Sequence, residues 1–213
     1  METRKVQLKE LSDVNTFKEI YEKVFSDYPY FEKFTDEELE AYFKEYEGGN
    51  FGAFKDGKCY GFVAIEEGIK PEHPVSFQEE KIAYLAELAV LKEQRNQRIG
   101  TQLMLYGIMQ TKKLGYEKMY MRTLEDNSMS KKIALRLGFN QIPNAIQLVE
   151  TTDTNGEHKI SRRIFLDFDL RTLTKETLKE KIKMIGLDKI QEQQFSEGTI
   201  QRPKNTYEVM GLE

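Results

Sequence analysis

Apolar residues recur along the chain in two rhythms, and the switch between them separates strands from helices. In "RKVQLKEL", Val6 and Leu8 alternate with charged neighbours, which predicts a first strand exposed on one face. Ser12 is placed as the N-cap of a helix whose stripe is Val14, Phe17, Tyr21 and Val24. Thr35 and Glu38 have capping-box spacing, and Leu39, Tyr42, Phe43 and Tyr46 follow as the stripe of a second helix ended by Gly48 and Gly49. "NFGAFKDGKCYGFVAI" reads as a hairpin about Asp56-Gly57. A loop containing Pro71 and Pro74 leads into the apolar strand "KIAYLAELAVL".

From Ile99 to Leu114 apolar positions run nearly all round a helix, so that helix is buried; Gly115 stops it. "YEKMYMRTL" is the next strand, with Met119 and Met121 on one face, and helix between strands implies a parallel pairing here. Asn127 caps a short helix with the stripe Met129, Ile133 and Leu137, closed by Gly138. Asn155-Gly156 sets a second hairpin, whose later strand turns Ile164, Leu166, Phe168 and Leu170 one way. The sum is an α/β domain over residues 1–170 with a mixed sheet of about seven strands flanked by helices. Residues 171–213 form a C-terminal helical extension with the stripe Leu178, Ile182 and Ile185.

Composition narrows the chemistry. A chain of 213 residues holds one well-packed core, and 39 % hydrophobic with 32 % charged residues is ordinary for a globular protein. A net charge of −4 gives no general pull toward nucleic acid or anionic lipid, so neither is expected as a partner. Cys59 is the single cysteine and His73 and His158 the two histidines, which leaves no internal disulfide and no metal set. Lacking a secretion signal or an apolar run of about 18 residues, the sequence reads as cytoplasmic. Cys59 has no histidine near it in sequence, and both histidines are expected to be solvated, so no covalent acyl-cysteine route is expected.

The informative stretch is "LKEQRNQRIGTQL", residues 91–103, where Arg95 and Arg98 flank a polar turn between a buried strand and a helix. Unpaired N–H groups and the dipole at a helix start attract an anion, and the two arginines reinforce this. The pattern is neither G-x-x-x-x-G-K-[ST] nor G-x-G-x-x-G, which disfavours a nucleoside triphosphate or a dinucleotide.

With its surroundings, this stretch resembles the GNAT family of acetyl-CoA-dependent N-acetyltransferases. "RNQRIGT" is similar to the family's Q/R-x-x-G-x-G/A motif, with Arg95 first, Arg98 at the usual first glycine and Gly100 at the second. "ELAV" before it, "LGYEKMYMRTL" after it and "NSMSKKIALRLGF" in place of N-x-x-A-x-x-x-Y-x-x-x-G-F match in order and spacing. The resemblance is densest over residues 82–139 and implies a mixed, mostly antiparallel sheet and acetyl-CoA as cofactor. It implies that Arg95, Asn96, Gln97, Arg98, Ile99, Gly100 and Thr101 hold the pyrophosphate. Leu88, Ala89, Val90 and Asn127 would then contact the pantetheine arm.

The family's usual general acid, a tyrosine, falls on Ala134 here, and that vacancy motivates the alternative of a catalytically silent acyl-CoA-binding or regulatory domain. For the base, Glu87 stands out as a carboxylate in an apolar strand, with a salt bridge or a solvated edge as its structural alternative. Alternation puts Tyr84, the second candidate for proton transfer, on the other face from Glu87 unless a bulge intervenes. The resemblance implies an acceptor site at the loop "SDYPYFEKF" and the sheet, with Tyr28, Tyr30, Phe31 and Glu66 around the amine of a small molecule or peptide. Aromatic walls with carboxylates suit a cationic amine. The C-terminal helix has three placements open to it: docked on the domain, paired in a homodimer, or folded over the acceptor pocket.

Overall fold

The structure, a computed structural model, describes residues 6–26, 34–46, 48–152 and 157–187. Its elements are β1 (Gln7–Glu10), α1 (Val14–Phe25), α2 (Asp36–Glu45), β2 (Asn50–Lys55), β3 (Lys58–Glu67), β4 (Ile82–Val90), α3 (Ile99–Lys113), β5 (Lys118–Leu124), α4 (Ser128–Leu137), β6 (Asn140–Thr152), β7 (His158–Asp169) and α5 (Lys175–Met184). The strands form one seven-stranded sheet in the order β1-β2-β3-β4-β5-β7-β6. Every neighbouring pair is antiparallel except β4 and β5. That single parallel pair follows from the α3 crossover, which returns the chain to the same end of the sheet.

Local chemistry fixes the helix starts. Asp13, not Ser12, caps α1: its carboxylate accepts from the Thr16 N–H at 2.8 Å, and its extended backbone lets the side chain reach forward. The capping box at α2 is complete, with Thr35 Oγ1 accepting from the Glu38 N–H and Glu38 accepting from the Thr35 N–H. Thr35→Ala should lower stability by about 1 kcal/mol in thermal melts, with the fold retained. Asp56 and Gly57 both take positive φ at the tight turn between β2 and β3, the conformation that Asp-Gly accommodates.

Two layers of apolar side chains cover the sheet. On one face Leu103, Met104, Leu105 and Ile108 of α3 meet Val63, Ala83, Leu85, Met119 and Met121, joined by Ala134 and Leu137 of α4. Leu178 and Ile182 of α5 and Leu187 beyond it belong to this same core. On the other face Phe17, Ile20 and Tyr21 of α1 and Leu39 of α2 pack over Phe62 and Ala64. Tyr84, Tyr120 and Phe165 continue that face under Ile69, Val75 and Phe77 of the loop before β4. One expected core residue is outside: Met129 is 60 % exposed, because the packed side of α4 is centred on Ala134 and Leu137. The Asn155-Gly156 turn and residues 188–213 lie outside the described residues.

Candidate active site

β4 and β5 pair only from Ile82↔Lys118 to Leu85↔Met121, although β4 continues to Val90 and β5 to Leu124. Past that point the two strands part, and the main chain of Leu88, Ala89 and Val90 has no ladder partner on its β5 side. The splay opens toward the turn that precedes α3. There Asn96 and Arg98 both have positive φ, and no side chain caps the helix, so its first N–H groups remain available. Left-handed backbone at a non-glycine costs about 1–2 kcal/mol, and strain of this kind concentrates at ligand sites.

Gly100 fits a bound phosphate better than it fits any need of the chain itself. Its φ is not positive, and a Cβ added there would meet only Val90 Cγ2 at 3.5 Å, an ordinary contact. The glycine therefore leaves open space beside the helix start, where the family's pyrophosphate would approach. Arg95 Nε donates to the Val90 carbonyl at 3.1 Å, tying the turn back to the end of β4. The Arg98 guanidinium points elsewhere: Nη1 donates to the carbonyls of Ile185, at 2.9 Å, and Gly186, at the C-terminal end of α5. A cation there answers the negative end of the helix dipole. Asn127 caps α4, with Oδ1 accepting from the Ser130 N–H at 3.2 Å.

The opposite wall is organised by a bulge. Ala64 pairs with Glu87 and Ile65 with Leu85, so Ala86 is an extra residue on β4. Ile82 and Tyr84 before it, and Glu87 and Ala89 after it, therefore all lie on the α1–α2 side, while Ala83, Leu85, Leu88 and Val90 face α3. The alternation that separated Tyr84 from Glu87 is broken there, and the two candidates share a face.

Glu87 is half-buried, and Oε1 accepts from the Tyr42 hydroxyl at 3.2 Å. Desolvation dominates its titration and raises its pKa to about 7, against the lowering effects of the Tyr42 hydrogen bond and of Arg122 and Arg163. Burial pushes the Tyr42 phenol far up, so it stays a donor. The Tyr84 hydroxyl is buried without a hydrogen-bond partner, and burial raises its pKa as well.

Of the residues expected around the acceptor, Tyr28, Tyr30 and Phe31 lie outside the described residues. Glu66 is buried and ion-paired with Lys70, whose Nζ also holds Glu45 at 2.7 Å, so its charge is already neutralised. His73 is not solvated as expected: only 5 % exposed, it stands between Tyr84, Tyr120 and Phe165. Nδ1 lies 3.0 Å from the Tyr120 hydroxyl and Nε2 3.0 Å from Arg122 Nη1. Desolvation, helped by Arg122, lowers its pKa to about 4, so it is neutral at physiological pH. Burial raises the Cys59 thiol, leaving it un-ionised, and Ala134 is 0 % exposed, a core methyl where the family carries a tyrosine.

Sequence reasoning missed the site roles of Tyr42, His73 and Arg122. Tyr42 had a signal, since it is one of two tyrosines in the α2 stripe that faces the sheet. His73, in the loop before β4, and Arg122, on β5, meet only in the folded chain.

A family model described as the acetyltransferase (GNAT) family matches residues 14–139. A comparison with curated protein sequences finds no match. Among solved structures, an N-acetyltransferase from Staphylococcus aureus Mu50 superposes with a TM-score of 0.61 at 17 % identity, covering 78 % of this chain and 98 % of that one. The ribosomal-protein-S18-alanine N-acetyltransferase from Escherichia coli gives 0.58 at 16 %, covering 79 % and 96 %. A Salmonella typhimurium protein solved with its cofactor acetyl-CoA gives 0.58 at 12 %, covering 79 % and 96 %. At these identities the structural likeness speaks for the fold alone, and the family match carries the chemistry. The chain belongs to the acetyltransferase (GNAT) family, whose enzymes transfer an acyl group from acetyl-CoA.

Proposed function

We propose that the protein acetylates a primary amine of a small molecule or peptide by direct transfer, with Glu87 as general base. The observation that carries this is the Glu87 carboxyl itself. It stands at the β4 bulge beside the splay, oriented by Tyr42, with its pKa raised to about 7. A base poised near the working pH both exists as carboxylate and holds a proton well enough to take one from an ammonium.

Acetyl-CoA would supply a thioester carbonyl carbon open to attack by an amine. The N–H groups at the start of α3, from Ile99 to Thr101, and the left-handed turn at Asn96, Gln97 and Arg98 would receive its pyrophosphate. Main-chain groups of Leu88, Ala89 and Val90 would pair with the pantetheine arm in the splay, with Asn127 opposite. Arg95 acts from the same turn. Glu87 accepts a proton from the incoming amine, directly or through water, and the aromatic side chains of Tyr42, Tyr46 and Tyr84 keep the base partly dry. Tyr84 is the weaker candidate for proton transfer, since its raised pKa keeps it protonated.

The second reading is a catalytically silent acyl-CoA-binding or regulatory domain, favoured by the buried Ala134 at the acid position. Thiol release from acetyl-CoA with a broad amine panel separates the two: turnover supports the enzyme, and tight acetyl-CoA binding with no release from any amine supports the silent domain. The cofactor turn has its own test. Gly100→Ala should weaken acetyl-CoA binding about tenfold in a calorimetric titration while leaving the melting temperature within a degree or two. Unchanged affinity would remove Gly100 from the cofactor site.

A further inference from the structure

Arg122 on β5 sits one residue past the last β4–β5 pair, on the face that also carries Glu87. Its guanidinium is held on one side only. Nη1 donates to His73 Nε2 at 3.0 Å and to Gln147 Oε1 at 3.3 Å, and Cζ lies 6.0 Å from the centre of the Tyr84 ring. Both acceptors are uncharged, because His73 is neutral. His73 is fixed in turn by Tyr120, whose hydroxyl accepts from the Lys70 N–H at 3.1 Å, and Gln147 reaches the Glu72 carbonyl.

Among the described residues, the Nε and Nη2 edge has no acceptor, and no carboxylate lies within ion-pair distance of this part-buried cation. The Glu72 carboxylate approaches His73 Nε2 at 3.6 Å rather than the guanidinium, and Glu87 feels Arg122 across the cleft without pairing to it. The buried Tyr84 hydroxyl beside it also lacks a partner. An oriented, partly desolvated guanidinium without a counter-ion is unfavourable unless something completes it. Its free edge presents two parallel donors, the fork that fits a carboxylate.

We propose that the acceptor amine belongs to a molecule that also carries a carboxylate, received by the free Nε and Nη2 edge of Arg122 while the amine faces Glu87. The acceptor class is thus an amino acid or another small amino-carboxylate, in place of the purely cationic amine suggested by aromatic and acidic residues. This rests on the amine-acetyltransferase reading and refines it.

The test uses the full chain with acetyl-CoA and a series of α- and ω-amino acids, each paired with its carboxamide and with an aminoalkyl phosphate of matching length. Thiol release and ligand-induced melting shifts are both read. The free acids should exceed their carboxamides at least tenfold in kcat/KM. Arg122→Gln should erase that ratio by raising KM for the acids alone, and Arg122→Lys should restore part of it; acetyl-CoA affinity and melting temperature should hold. Equal turnover of acids and carboxamides overturns the proposal and leaves the acetyltransferase reading standing. A preference for the phosphates, or a loss in Arg122→Gln equal for all acceptors, also overturns it. No turnover with carboxylate-selective melting shifts sinks the acetyltransferase reading but supports the carboxylate site; no turnover and no shift sinks both.

Discussion

Glu87→Gln should lower kcat/KM for amine acetylation by about 10²–10⁴-fold, the usual contribution of a positioned general base. The substitution is close to isosteric, and its amide oxygen still accepts from Tyr42, so the wall of the cleft is kept. The wild-type rate should rise with pH through about 7 as the Glu87 carboxylate forms, and the variant should lose that limb. Stability moves the other way. A folded pKa raised from 4.5 to about 7 means that the folded chain binds this proton more tightly than the unfolded one, so stability falls as pH rises across that window. The glutamine variant escapes this fall and should melt no lower than wild type at pH 8. A variant that is inactive yet equally stable assigns the loss to chemistry; an active variant with an unchanged pH profile would show that Glu87 is a buried wall residue.

His73 carries the opposite sign. Its pKa is depressed from 6.5 to about 4, so the unfolded chain takes up the proton first and stability falls as pH drops from about 6.5 to 4. The Glu87 and His73 contributions overlap in that window with opposing slopes, and Glu87→Gln should therefore make acid destabilisation steeper than in wild type.

How far the sequence reaches is visible residue by residue. The elements were legible because each has local causes: the Thr35–Glu38 capping box, the Asp56-Gly57 turn, the Gly138 stop. The strand, turn and helix proposed for the acyl-CoA side were legible as elements because they are contiguous in the sequence. The wall proposed for the acceptor was not, because the facing of Glu87 depends on register. One extra residue, Ala86, reverses the facing of everything after it on β4, and alternation alone contains no sign of a bulge. His73 lies between two prolines, which suggests an exposed loop; only Tyr84, Tyr120 and Phe165, from three separate strands, bury it. Arg98 shows the same limit, since its side chain finds α5 across a separation that no local pattern encodes.

The C-terminal helix supplies the other large expected effect. Ile182→Ala should destabilise the protein by about 2–5 kcal/mol, the range for truncating a fully buried aliphatic residue, and lower the melting temperature by several degrees. Ile182 is 0 % exposed, and with Leu178 and Leu187 it packs in the same cluster as Leu103, Met119 and Leu166. Removing its outer carbons opens a cavity in the core shared by α3 and the central strands, not at a surface seam. An appendage that melts separately would give a second transition; shared core packing gives one cooperative transition that moves as a whole. Met184→Ala on the same helix, at a residue 65 % exposed, is the control and should stay within about 0.5 kcal/mol. The helix end also receives Arg98, whose left-handed backbone shapes the turn before α3. A cavity that shifts the end of α5 within the folded state should weaken acetyl-CoA binding well below the melting temperature, an effect that Met184→Ala lacks. Equal acetyl-CoA affinity in Ile182→Ala and wild type would show that the clasp between Arg98 and α5 has no part in forming the turn.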